Sequence, residues 1–384
     1  MRSNFNTICV LLLLCCSVQV VAAAGEYVYS AQWGSPGSTV GQFNNPGGIA
    51  VDGAGNVYVV DTRNARIQKF TATGAFITAW GSSGSGAGQF NAPDGVAVDG
   101  ADTVYVADTQ NNRIQKFTSA GAFVTAWGTP GAGNGQFNAP TSLAVDSTGN
   151  VYVVDSWNNR IQKFTSAGAF IAMWGSSGIE NGQFDEPYGI AINRAGNVYV
   201  SDKWNNRVQK FTSDGLFVAT WGTSGTGNGQ FNWPWGVAVD GAGTVYVTDA
   251  WNNRVQKFTS DGFFVATWGT SGTENGQFNW PYGIAVDGAG TVYVTDEWNN
   301  RVEIFVPAAA PVIVVPGGVG IPTSPDNDGL YWDLNGNRRL DFNDVVLYFN
   351  QMDWIAENEP VRAFDFNMNG RIDFNDIVVI FNRL

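Results

Sequence analysis

The tripeptide Gly-Gln-Phe begins at Gly41, Gly88, Gly135, Gly182, Gly229 and Gly276, a constant spacing of 47 residues. A chain written this way folds as copies of one small unit, each burying its apolar faces against its neighbours. Inside every unit a Pro follows the Phe, and a short apolar run then ends at Asp52, Asp99, Asp146, Asn193, Asp240 or Asp287. Next come Val-Tyr-Val-x-Asp, a run opened by Arg and Ile or Val, and an apolar run closed by Trp-Gly. Runs of this length, rich in β-branched and aromatic residues and bounded by Gly, Asn, Asp or Ser, are strand and turn signals. The spacing therefore predicts four strands per unit, and no helical period appears between residues 26 and 306. Radially repeated four-stranded units make a propeller.

The sixth unit runs out after Phe305 without its fourth strand, while Tyr27 to Gly34 ends in the same Trp-Gly. Pairing the two chain ends removes the open edges of a linear array. The expected fold is all-β: a six-bladed β-propeller over residues 25–306, its N-terminal strand closing the last blade. The repeats resemble the NHL family. In the second unit Pro93-Asp94-Gly95-Val96-Ala97-Val98-Asp99, Val104-Tyr105-Val106-Ala107-Asp108 and Asn111-Asn112-Arg113-Ile114-Gln115-Lys116-Phe117 carry the likeness. The resemblance implies a propeller and, most often, a binding function.

The N-terminus reads as a secretory signal over residues 1–24: Arg2, an apolar stretch from Ile8 to Val21, then Ala22-Ala23-Ala24. That stretch is short of the roughly 20 apolar residues a membrane span needs, so no span is expected after cleavage. The three cysteines Cys9, Cys15 and Cys16 all lie within it, and the chain has no histidine. The expected mature protein is extracellular or on the cell surface and has no disulfides. The commonest general base and zinc ligand is missing from it. A net charge of −13 argues against a nucleic-acid partner.

Strands alternate direction, so the Asp-x-x-Asn-Asn-Arg turns share one face with the connections between blades. Of the fifteen tryptophans, Trp33, Trp80, Trp127, Trp174, Trp221 and Trp268 recur at the blade ends and read as scaffold. Trp157, Trp204, Trp233, Trp235, Trp251, Trp280 and Trp298, joined by Tyr188 and Tyr282, all fall in loops of that face in units three to six. Units one and two carry Arg63, Gln110, Gly47 and Asp94 at the matching points. Two readings stand for this crescent: a surface for a glycan, peptide or protein, or wedges packed between blades. The recurrent Arg66, Arg113, Arg160, Arg207, Arg254 and Arg301, each five residues after an Asp, are expected to brace turns. No catalytic-type residue is expected to break the symmetry, so the chain reads as a non-enzyme. The alternatives are a carbohydrate-active lyase or hydrolase, which would need a polar cluster on the axis, and a structural envelope component.

Residues 307–325 form a Pro/Gly-rich spacer. In residues 326–384 two loops place Asp333, Asn335, Asn337, Asp341 and Asp344, then Asp365, Asn367, Asn369, Asp373 and Asp376, at positions 1, 3, 5, 9 and 12. Arg339 and Arg371 fall at position 7, where a backbone carbonyl coordinates. Oxygen donors at this spacing wrap Ca2+. Gly370 supplies the sharp turn in the second loop where Arg338 stands in the first, so the first site is expected to be weaker. Val345, Tyr348, Phe349 and Met352 match Ile377, Ile380, Phe381 and Leu384 on the helices that follow. This small all-α duplication resembles a dockerin type I module, in the form found on secreted proteins of methanogenic archaea. The resemblance implies docking to a cohesin-like protein through Phe342-Asn343 and Phe374-Asn375. The small hydroxyl pairs of cellulosomal versions are absent from those positions.

Overall fold

A computed structural model describes residues 27–308 and the single residue Tyr348. The propeller, Gly25–Pro307, is a compact unit in itself. It holds six four-stranded antiparallel sheets. Blade one runs Pro46–Val51, Val57–Asp61, Arg66–Phe70 and Phe76–Trp80, and the pattern repeats through the fifth blade. Blade six pairs Pro281–Val286, Val292–Asp296 and Arg301–Pro307, and its outer strand is Tyr27–Trp33. The closing register runs antiparallel from Tyr27 opposite Pro307 to Trp33 opposite Val302.

Each Val-Tyr-Val-x-Asp strand is buried at all five residues, because both of its faces are covered by neighbouring blades. The apolar clusters straddle consecutive blades. Tyr58, Val60 and Ile67 of blade one pack with Phe90, Val104 and Phe117 of blade two. Tyr293 and Val302 of blade six pack with Phe43, Val57 and Phe70 of blade one, so the core is as cyclic as the strand pairing. The blade-end tryptophans join this packing: Trp33 lies against Phe70 and Tyr293 at ring-centroid distances of 5.6 and 6.3 Å.

The turns are braced as the sequence implies. Asp61 accepts the Asn44 amide, the Arg66 Nε at 2.7 Å and the Gln68 side chain, while Arg66 donates onward to the Thr39 and Gln42 carbonyls. The same Asp–Arg pair stands in all six blades. On the opposite face Asp52 closes its hairpin by accepting the Ala54 and Asn56 amides and the Tyr58 hydroxyl, a structural role.

At the centre the innermost strands come very close. A Cβ at Gly95 would lie 2.5 Å from the Thr141 carbonyl, and one at Gly236 equally close to the Tyr282 carbonyl. The narrow axis thus favours the glycine that follows Pro-x in five blades, blade three carrying Ser142 there, and the residue before it points its side chain over the axis.

Candidate functional site: an asymmetric groove on the connection face

Four positions per blade differ from repeat to repeat while their flanks stay constant, and all four lie on the connection face. The innermost, after Pro, holds Gly47, Asp94, Thr141, Tyr188, Trp235 and Tyr282. Before Pro stand Asn45, Ala92, Ala139, Glu186, Trp233 and Trp280. The turn adds Thr62, Thr109, Ser156, Lys203, Ala250 and Glu297, and beyond them Arg63, Gln110, Trp157, Trp204, Trp251 and Trp298. Blades one to three are thus mostly small and polar at these points, and blades four to six mostly aromatic.

The backbone holds these side chains firmly. The residue before Pro is left-handed in every blade, for instance φ 58° at Trp233 and 70° at Trp280. In five blades its amide is tied to an Asn of the preceding blade, as Trp233 donates to Asn206 and Trp280 to Asn253, both at 2.9 Å, while Ala65 stands at the Asn position behind Ala92. In the aromatic half, hydroxyls add a second strut. Thr248 donates to the Tyr282 carbonyl at 2.8 Å and Thr295 to the Gly47 carbonyl at 2.7 Å, and Ser201 donates to that of Trp235.

Eight of the nine crescent aromatics form one continuous net. Trp204, Trp251 and Trp280 each lie within 5.7 Å of Trp233, and Trp298 stacks on Trp280 at 4.9 Å. Trp235 touches Trp280, Tyr282 and Tyr188 at 5.6, 5.1 and 4.5 Å. Trp157 stands apart across the groove and makes no ring contact with them among the described residues. The outer rings Trp157, Trp204, Trp251 and Trp298 are 44–58% exposed, whereas Trp233, Trp235 and Trp280 are half-buried behind them.

Lys203 runs under this net. It is buried, pairs with Glu186 at 2.9 Å, and its ammonium lies 4.6 Å from Trp235, 5.0 Å from Trp204 and 5.6 Å from Trp233. Desolvation raises the Glu186 carboxyl, but the Trp204 indole and the Lys203 ammonium outweigh it and hold it below the usual range.

Asp94 departs from the repeat at the innermost position, where no other blade carries an acid. It is 7% exposed and meets the hydroxyls of Tyr188 and Tyr282, from alternate blades, over the axis. Tyr282 donates to Oδ1 at 2.5 Å, Tyr188 donates to Oδ2, and the two tyrosine hydroxyls also touch. Burial pushes Asp94 up to about 6, against the pull of both hydroxyls and of Lys203. Burial and the Asp94 charge lift both tyrosines well above their ordinary value. Glu297 is likewise raised by burial, to about 7, against a 2.8 Å hydrogen bond from Asn45. Of the charged groups here, the sequence reading took up Asp94 alone; Glu186, Lys203 and Glu297 were missed, although each departs from the residues at its position in the other repeats.

Beside Asp94 opens a cavity of about 370 Å³. Its lining combines small and polar residues, among them Thr62, Ala139 and Ser156, with the rings of Trp157, Tyr188, Trp235 and Tyr282 and with the Glu186–Lys203 pair. The cavity can hold a small ligand between an aromatic wall and a carboxylate floor. The described residues contain no cluster of three or more acidic, His or Cys groups placed for a metal. No helix among them is long and apolar enough to cross a membrane.

The signal segment, the spacer beyond residue 308, the calcium-loop positions in 333–344 and 365–376, and the docking pairs at 342–343 and 374–375 lie outside the described residues.

The NHL repeat model matches residues 43–70, 90–117, 137–164, 184–211, 231–258 and 278–305, each from the Phe of a blade connection to the end of the third strand. The B-box type zinc finger protein ncl-1 of Caenorhabditis elegans is 43% identical over 51 residues, which is 13% of this chain and only 6% of that protein's length. A structure from Bacteroides thetaiotaomicron, of unknown function, superposes with a TM-score of 0.56 at 23% identity, covering 73% of this chain and 76% of its own. Virginiamycin B lyase from Staphylococcus aureus, as a catalytically inactive His-to-Ala variant with quinupristin, gives 0.50 at 17% identity over 71% of this chain and 82% of its own. These structural likenesses concern the fold alone. The chain carries six NHL repeats, folded as the six blades of one β-propeller.

Proposed function

We propose that this chain is a secreted or cell-surface binding protein, whose propeller takes a ligand in the groove beside the aromatic net. The C-terminal module attaches it to a protein partner in a calcium-dependent manner. The observation that carries the propeller reading is where the repeats vary. The Asp–Arg turns and the core are repeated almost unchanged around the ring, and the aromatic and charged departures concentrate on one face. Scaffold demands recur in every blade, whereas a binding surface serves one ligand and need not be symmetric. The half-exposed rings suit sugar faces or an extended peptide. An array of glycans and peptides probed with the intact chain should yield a ligand, and replacing Trp204, Trp235 and Trp251 by Ala should abolish that binding. Unchanged binding in the triple variant would remove the aromatic site, and an empty array would favour a structural envelope role.

The second reading, a lyase or hydrolase, is favoured by one observation, the polar cluster of Asp94 with two tyrosines on the axis. Against it, the inactive form of the lyase described above lacks one histidine, and this chain contains none. Turnover of an array ligand that stops in Asp94→Asn would establish this reading instead.

The calcium assignment rests on the paired Asp/Asn spacing in residues 333–344 and 365–376. Titration of the full chain with Ca2+ should report up to two sites, and Asp365→Ala should lose the second. An identical titration in that variant would overturn the ligand assignment.

A further inference from the structure

Buried charge is normally matched by an opposite charge at hydrogen-bond distance. The six turn carboxylates follow that rule, each with an Arg Nε at 2.7–2.8 Å. Asp94 does not. It is buried too, though at 7% exposure slightly less than they are, it receives two neutral hydroxyls, and among the described residues no Lys or Arg reaches it at ion-pair distance. Lys203 is already committed to Glu186 at 2.9 Å. Each Asp94 oxygen keeps a lone pair beyond the one a tyrosine occupies, and Asp94 lines the cavity.

Glu186 and Lys203, which also line the cavity, offset one another as an ion pair, so Asp94 leaves the lining net negative, and two hydroxyls add acceptors. Thr109 spends its hydroxyl proton on the Pro140 carbonyl and Thr141 on that of Tyr188, so their remaining capacity is as acceptors. The ring faces of the wall are negative at their centres and attract cations. The protein itself demonstrates this on the same rings, since the Lys203 ammonium lies 4.6 Å from the Trp235 centroid and 5.8 Å from that of Tyr188. Trp157, across the groove, offers a free face to the same volume. A neutral ligand would leave Asp94 unmatched, and an anion would be repelled by it.

We propose that the cavity receives an organic ammonium group, its N–H donors on Asp94 and its alkyl portion against Trp157 and Trp235. This assignment rests on the reading of the face as a ligand site and adds the chemical class of what enters it. The free amine or a longer molecule ending in one would meet the same atoms.

The test is titration calorimetry of the intact chain with n-butylammonium chloride, with 1-butanol and butyrate as the neutral and anionic counterparts of equal length. Only the amine should bind saturably, and Asp94→Asn should weaken it about tenfold or more. Binding should also weaken from about pH 8 to about pH 5, as Asp94 takes up a proton; Glu297, which feels the Asp94 charge, protonates over the same range in the same direction, and the Lys203–Glu186 pair keeps its charges. Ala139→Trp fills the cavity without touching the carboxylate. Its fold is safeguarded, because Trp233 and Trp280 occupy the same repeat position with φ of 58° and 70°, beside 53° at Ala139. It should abolish amine binding. Equal binding of 1-butanol, amine binding unchanged in both variants, or no saturation up to about 10 mM amine would each overturn the assignment. An array ligand that lacks an amine but depends on Trp204 and Trp251 would leave the binding face standing while the ammonium assignment falls. A lysine-bearing peptide that outcompetes butylammonium would identify the longer form.

Discussion

Glu303 occupies a position where the other five blades have Gln68, Gln115, Gln162, Gln209 and Gln256. In blade one Gln68 accepts the Gly41 amide through Oε1 and donates through Nε2 to the Gln42 carbonyl at 2.7 Å and to Asp61 at 3.1 Å. In blade six Glu303 accepts the Gly276 amide at 3.1 Å, and Arg301 lies 3.2 Å from the same oxygen. Its Oε2 is buried without a hydrogen-bond partner. By the register of the other blades that oxygen faces the Gln277 carbonyl and the Asp296 carboxylate, two acceptors, so the site needs a proton. Burial pushes the Glu303 carboxyl up to about 7, against the Arg301 charge and with that of Asp296. The folded state therefore holds a proton that the unfolded chain releases near 4.5, and stability falls as pH rises from about 4.5 to about 7. Glu303→Gln restores the donor. Thermal melts should show the variant more stable by about 2–3 kcal/mol at pH 8, with the gain shrinking towards pH 5. A gain of equal size at both pH values would remove the explanation. Glu303 and Asp94 share a lesson in reading repeats. Both were legible as breaks in the pattern, but a substitution shows its meaning only when its hydrogen-bond partners, up to four repeats away along the chain, are known.

At the scale of the element, the blade was almost wholly legible in the sequence. Val-Tyr-Val-x-Asp lacks a period-2 alternation because it is covered on both faces, and its burial is complete. The fourth strand, at the rim, does alternate, as in the exposure pattern of Phe217–Trp221. Turn chemistry fixed the braces: Asp at the strand end and Arg five residues on meet across a short turn wherever they occur. The conformation of the aromatic loops was not legible, and the reason is geometric. Equivalent positions lie on circles about the axis, and a repeat reports the position without the radius. On the outer circles only adjacent blades meet, as Trp233 and Trp280 do, 47 residues apart in sequence. On the inner circle side chains cross the axis, so Asp94 meets Tyr188 and Tyr282, which are 94 and 188 residues away. The rings divide by exposure: Trp233, Trp235 and Trp280 are half-buried, Trp235 within the cavity wall, and Trp157, Trp204, Trp251 and Trp298 reach the surface.

For the whole molecule, everything on the groove depends on closure, because Asp94 of blade two and Tyr282 of blade six meet only in a sealed ring. The seal is the strand Tyr27–Trp33, paired along its length with Arg301–Pro307. Tyr27 also reaches into blade five, stacking on Trp268 at 4.6 Å and sharing a 2.9 Å hydrogen bond with the Tyr246 hydroxyl. Trp33 reaches the other way, onto Phe70 of blade one. Without this strand, blade six would present an unpaired edge and a bare apolar surface at the joint. The decisive measurement is the thermal unfolding of a chain that begins at residue 35 beside that of one that begins at residue 25. The truncated ring should melt lower by about 10 °C or more, with a broader transition. A truncated chain with the same midpoint and the same cooperativity would contradict the closed ring on which the site is built.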